Sequence, residues 1–256
     1  MSVETLFDRA PTLSQSEREL MREKMRDPNF LPTHDDIYQA FKSEEYYSEE
    51  WHRFCFNEDN PVFEFLNEEF ITAFSNYLAE RVESLGASED SPMTILEVGA
   101  GNGRLSHFLQ QKLEARFSGK VTVVATDSGE WSLKTAFPVE VIGHKEALEK
   151  HKPKIVIFSW MPYQEDITDD FRAGESVEEY ILIGESDGGC CGDEWRTWGL
   201  SWSFDDEDTG EEIVAPYIAE RFEREDIKDV SNHQICRSDT LGGLRHSSTE
   251  SFRRNR

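Results

Sequence analysis

Three glycines at alternate positions, Gly99, Gly101 and Gly103, follow directly on the apolar run Thr94–Val98 and lead into a segment, Gly103–Phe117, whose apolar residues recur at helical spacing. A short apolar run closed by glycines predicts a buried strand. The glycines permit an abrupt turn into the helix and let a ligand approach bare backbone. The helix start adds unpaired N–H groups that face whatever binds there. Spacing then removes candidates. The dinucleotide pattern G-x-G-x-x-G fails, because its sixth position is Arg104 counted from Gly99 and Ser106 counted from Gly101. The phosphate-loop pattern G-x-x-x-x-G-K-[ST] is absent. What stands is Glu97-Val98-Gly99-Ala100-Gly101-Asn102-Gly103, with an acid inside the strand.

The rest of the chain supplies a context for this turn. Further strands are expected at Lys120–Thr126, Val139–Ile142, Ile155–Trp160 and Tyr180–Gly184, with a brief helix at Glu146–His151. Strands alternating with helices predict a parallel sheet covered on both faces. A helical stretch is expected over Val214–Arg224. His233–Arg237 and Thr249–Arg253 then read as a closing antiparallel hairpin, joined through Gly242-Gly243. Upstream, Ser14–Arg26 has helical potential with Ser14 as N-cap and Glu17 three residues on, the alternative being a mobile arm. Residues 34–85 carry apolar side chains at three- and four-residue steps, with a break at Asn60-Pro61 and a new helix expected to begin at the proline. The division expected is a helical extension over residues 1–90 and an α/β domain over 91–256.

The glycine segment resembles motif I of class I S-adenosylmethionine-dependent methyltransferases, and the resemblance extends over roughly residues 60–256. It implies a Rossmann-like, seven-stranded, mostly parallel sheet with an antiparallel terminal hairpin, helices on both faces and an N-terminal helical cap. It also implies S-adenosyl-L-methionine as cofactor, with Gly99, Gly101 and Gly103 beneath its methionine and ribose and Glu97 helping to hold its amino group. A carboxylate is tolerated there because this cofactor carries an ammonium and a sulfonium and no pyrophosphate. Asp127, closing Val123-Val124-Ala125-Thr126-Asp127, is the acid expected to accept hydrogen bonds from the ribose hydroxyls; a turn or N-cap is the structural alternative. Glu146, followed by Ala147, matches the acid that meets the adenine amino group in many relatives, or else sits on a solvated helix face.

Strand ends in such a sheet face the ligand crevice. Ser159-Trp160-Met161-Pro162-Tyr163 keeps the Pro-Tyr end of the family's amine-binding tetrapeptide but lacks its Asp or Asn, so nucleobase and glutamine N-methylation are not carried over. Trp160 and Tyr163 are expected beside the methyl acceptor, Trp160 having a core position as its alternative. Glu185, after the fifth strand, is a candidate general base, needed only if the nucleophile arrives protonated. Trp195, Trp198 and Trp202 line a pocket or pack the glycine-rich loop Gly188-Gly189-Cys190-Cys191-Gly192.

Charge limits the partners. The formal net charge of −25 disfavours nucleic acid and anionic membranes, whose affinity for proteins comes from Lys and Arg, and points to a cationic or neutral small-molecule or protein acceptor. The 17 Phe, 7 Tyr and 6 Trp make up for a hydrophobic content of 37% in building a core. Four cysteines without C-x-x-C or zinc spacing predict no metal site and a reducing, cytoplasmic setting, and no secretory leader or membrane-spanning run is read. A catalytically inactive binding subunit and a nicotinamide-dependent oxidoreductase remain as alternatives. Neither the acceptor nor the oligomeric state is written in the sequence.

Overall fold

The computed structural model describes residues 13–41, 49–58, 61–200, 214–239 and 245–255. Four helices come first: α1 (Gln15–Met25), α2 (His34–Phe41), α3 (Glu49–Cys55) and α4 (Glu68–Ser84). Then follow β1 (Met93–Val98), α5 (Arg104–Phe117), β2 (Val121–Asp127), β3 (Glu140–Val141), α6 (His144–His151), β4 (Ile155–Ser159), α7 (Thr168–Ala173) and β5 (Glu179–Gly184). The chain closes with α8 (Pro216–Ala219), β6 (Phe222–Asp226), α9 (Lys228–Ser231) and β7 (Ser248–Arg254).

One sheet has the order β3-β2-β1-β4-β5-β7-β6. Pairing is parallel from β3 through β5, and β7 runs antiparallel to both β5 and β6. This is a Rossmann-like α/β sheet with an antiparallel terminal pair, as expected. The two-residue alternation of strand side chains makes the two faces. Ile95, Ile155, Ile157, Ile181 and Ile183 share one core with Phe74 and Leu78 of α4 and Leu109 of α5. Leu96, Val156, Phe158 and Leu182 share the other with Leu148 of α6, Phe171 of α7 and Trp198. A third core holds α1 to α3 together, through Ile37, Phe41, Trp51 and Phe54, and includes Phe65 and Ile235. Burying an aromatic or aliphatic side chain of this size stabilises by about 1.5–3 kcal/mol. Among the described residues no helix is long and apolar enough to cross a membrane.

Several local expectations hold. Ser14 caps α1, accepting from Glu17 N while the Glu17 carboxylate accepts from Ser14 N at 2.8 Å. Three others are corrected. The helix expected from Pro61 starts at Glu68 instead, because Asn67 is the cap, accepting from Phe70 N at 2.7 Å. Residues 61–67 stay extended, with Phe65 N donating to Ile235 O at 2.8 Å and Arg237 N donating to Phe63 O at 3.0 Å. His233–Arg237 is therefore not a strand of the main sheet; its partner is this extended N-terminal segment, through the Glu64–Cys236 bridge. The sixth strand is Phe222–Asp226, inside the stretch expected to be helical. It lies on the sheet edge, where Glu223 and Glu225 point to solvent, so its composition carries no apolar alternation. Trp202 and Gly242-Gly243 lie outside the described residues.

Candidate functional site

The turn after β1 is built from glycines in the left-handed region, with φ of 65° at Gly99, 54° at Gly101 and 78° at Gly103. At two of them space also excludes a side chain. A Cβ on Gly99 would meet Phe158 Cε2 at 2.2 Å, and one on Gly103 would meet Val139 Cγ2 at 2.8 Å. Gly103 is the N-cap of α5 and offers no side chain to its first N–H groups.

Two carboxylates flank this turn. Asp127, at the C-terminal end of β2, accepts from Gly101 N at 2.9 Å through one oxygen and from Gly129 N at 2.8 Å through the other. It faces the turn. Glu97 points elsewhere: one of its oxygens accepts from both Ser106 N, at 3.0 Å, and Ser106 Oγ, at 2.5 Å, in the first turns of α5. Glu97 is 2% exposed. Burial pushes its carboxyl up to about 7, against the lowering effect of the Ser106 bonds. After β2 the chain folds back over the turn, Ala136 N and Phe137 N donating to Asn102 O at 3.0 and 3.2 Å. Leu133 comes to 3.6 Å from where a Gly101 Cβ would be, and Trp131 stands 58% exposed at the rim. Glu146 is exposed in the first turn of α6.

The C-terminal ends of β4 and β5 lie on the same edge of the sheet as this turn. Trp160 turns the chain at the end of β4 with φ of 60°, a left-handed conformation rare for a bulky residue, and its N–H donates to Ile183 O at 2.7 Å. Its indole Nε1 donates to Glu64 Oε2 at 3.2 Å, and its ring lies 5.5 Å from that of Phe63, which in turn lies 6.2 Å from Trp131. Glu185 accepts from Ser238 Oγ at 2.5 Å and from Cys190 N at 3.3 Å. Tyr163 is 59% exposed, in a single bridge with Gly192. The structure thus places Trp160 and Glu185 at neighbouring strand ends and turns Tyr163 outward. Trp198 packs the loop, donating from Nε1 to Cys191 O at 2.6 Å.

Several residues here were not read from the sequence. Glu64 is half-buried, with Ser247 Oγ donating to its second oxygen at 3.3 Å. Burial, reinforced by the nearby Asp239 charge, pushes its carboxyl up to about 8. Asp239 accepts from Cys236 N and His246 N, both at 2.8 Å. Arg237 lies over the rings of Phe56, Phe63 and Trp160. Glu64 had one local signal, an acid between Phe63 and Phe65; Arg237 and Asp239 had none. Among the described residues no group of three or more His, Cys, Asp or Glu side chains is placed to hold a metal ion.

No protein-family model matches the chain, and no curated protein matches it. Solved structures are similar at low identity. The DszA carbon methyltransferase is 13% identical, with a TM-score of 0.42, over 72% of this chain and 53% of that one. The citrinin polyketide synthase CMeT domain is 13% identical, with a TM-score of 0.43, over 93% of this chain and 65% of that one. The chain thus spans between half and two thirds of the length of these two. The plantazolicin methyltransferase BpumL, solved with SAH, is 10% identical, with a TM-score of 0.36, over 94% of this chain and 99% of that one.

Proposed function

We propose that this chain is an S-adenosylmethionine-dependent methyltransferase acting on a small-molecule or protein acceptor. The observation that carries the reading is the Asp127 carboxylate at the end of β2, hydrogen-bonded to the glycine turn after β1. An ionised carboxylate has about four acceptor positions, of which two are used here. Two remain for a ribose diol. The cofactor, when bound, supplies an electrophilic methyl group. The chain's own residues hold and orient: Gly99, Gly101 and Gly103 give a bare floor, and Asp127 grips the sugar. Glu97, committed to Ser106, secures the start of α5 rather than reaching a ligand amino group. Glu146, at the exposed start of α6, is assigned to the adenine edge. Trp160 and Glu185 are assigned to the acceptor side, with Tyr163 at its outer lip.

Residues 1–90 are assigned as a cap. Phe63 and Glu64 support this, since both reach the end of β4. Arg104 also donates to Phe30 O at 2.8 Å, tying the upstream segment to the start of α5. The net charge of −25 supports an acceptor other than nucleic acid, and the four free cysteines support a cytoplasmic setting.

Calorimetry with S-adenosylmethionine and S-adenosylhomocysteine tests the reading. Asp127→Ala should weaken binding at least a hundredfold, since two hydrogen bonds to a charged group are worth about 1.5–3 kcal/mol each. No heat with either ligand, together with binding of NADH, would refute it in favour of an oxidoreductase. Binding without transfer to any screened acceptor would favour the inactive-subunit reading.

A further inference from the structure

Arg237, against Phe63 and Trp160 at the end of β4, differs from its counterparts in this protein. Most other buried or half-buried arginines rest the guanidinium on oxygen. Arg81 does so on Glu179, Arg224 on Asp187, Arg104 on two backbone carbonyls and Arg254 on three. Arg172 meets Thr168 Oγ1, Arg253 meets Ser251 Oγ, and Arg22 and Arg26 meet carbonyls. Arg237 is half-buried, and its guanidinium makes no such contact among the described residues. It lies 4.2 Å from the Phe63 ring centre, 5.0 Å from that of Phe56 and 5.4 Å from that of Trp160.

The backbone position of Arg237 is fixed. Arg237 N donates to Phe63 O at 3.0 Å and Trp51 Nε1 donates to Arg237 O at 2.8 Å, so both backbone groups are anchored to the N-terminal segment. The guanidinium lies against these rings, and its N–H donors meet no oxygen among the described residues. In a chain with 52 acidic and 27 basic residues, a half-buried cation paired with no described carboxylate runs against composition. The acid nearest along the two-stranded ladder is Glu64, across from Cys236. Its carboxyl, pushed up to about 8, is mainly protonated at neutral pH and does not cancel the guanidinium. The other nearby carboxylates are turned to other donors, Asp239 to Cys236 N and His246 N and Glu185 to Ser238 Oγ and Cys190 N.

We infer that Arg237, beside Phe63 and Trp160, is an anion subsite at the acceptor end of the sheet's strand ends, built for a small molecule bearing a carboxylate. The term "acceptor end" rests on the methyltransferase reading; the subsite itself does not. A guanidinium edge matches a carboxylate in two parallel hydrogen bonds. A cationic acceptor, by contrast, would meet ring faces already covered by positive charge. The inference reverses the expectation drawn from net charge. The reversal is local, because distant surface charges are screened beyond about 8 Å at physiological salt while the guanidinium is in contact.

The test uses the full-length wild-type chain, with and without S-adenosylhomocysteine, titrated calorimetrically with three acids and their amides. The acids are 4-hydroxybenzoate, 4-hydroxyphenylacetate and hexanoate. At least one acid should bind tenfold or more tightly than its amide, and Arg237→Gln should bring that pair within twofold. Acids that bind no better than their amides in the wild-type chain, or a preference that survives Arg237→Gln, would overturn the inference. The wild-type comparison needs no variant to fold. The homocysteine arm separates the two readings. Acid preference without S-adenosylhomocysteine binding removes the methyltransferase and keeps the subsite; the converse removes only the subsite.

Discussion

Replacing Glu97 by glutamine should make the protein's stability respond differently to pH. In the folded chain the Glu97 carboxyl is raised from its usual 4.5 to about 7, chiefly by burial. Below 4.5 it is protonated folded and unfolded, and its ionisation costs nothing. As pH rises, the unfolded chain loses the proton first. Stability therefore falls across the window from 4.5 to 7 and is flat above it, because the folded state binds more protons there. The full window is worth about 3 kcal/mol, of which about 2 kcal/mol lies above pH 5.5. The glutamine amide keeps an oxygen for Ser106 N and Oγ but cannot ionise. Urea unfolding of both proteins at pH 5.5 and pH 8, followed by far-ultraviolet circular dichroism, isolates the effect, since other titrating groups occur in both. The difference between variant and wild type should shift in favour of the variant by about 2 kcal/mol on going to pH 8. A difference that stays constant between the two pH values would refute the account of Glu97 as a buried, partly protonated anchor of α5.

Two further substitutions probe how the sheet is supported. Glu179, fully buried in β5, accepts from Arg81 Nε at 2.5 Å and Ser251 Oγ at 2.6 Å, and also from Tyr77 OH, so it fastens α4 to β5 and β7. Arg81→Ala strands this charge and should cost about 3 kcal/mol in urea unfolding, part of it regained in the double variant with Glu179→Gln; a loss below about 1 kcal/mol would count against the network. Gly103→Ala places a Cβ 2.8 Å from Val139 Cγ2 at a φ of 78°. It should destabilise by about 2 kcal/mol or more, read as a lowered urea midpoint with an unchanged slope.

The features legible in the sequence were those set by neighbours along the chain. Ser14 and Glu17 specify a cap because a helix start needs acceptors within three residues. Ile95-Leu96 and Val156-Ile157 specify buried strands because both faces of a parallel sheet are covered. Gly99, Gly101 and Gly103 specify the turn because other residues resist positive φ. Asp127 was legible because the strand length brings it to the same edge as that turn. Where the local signal was ambiguous the reading failed. Phe222–Asp226 is a charged edge strand, and Pro61 opens an extended segment whose hydrogen bonds go to Ile235 and Arg237.

Only the tertiary structure decided that Phe222–Asp226 is the strand that pairs with β7, that Glu97 turns to Ser106 rather than outward, and that Glu64 meets Trp160. It alone brought Arg237 onto Phe63 and Trp160. These pairings join residues far apart in sequence, and no periodicity or spacing encodes them. They arise because the sheet's strand ends and the N-terminal segment bury their apolar side chains against one another, and whatever polar groups lie on that seam must then find partners across it.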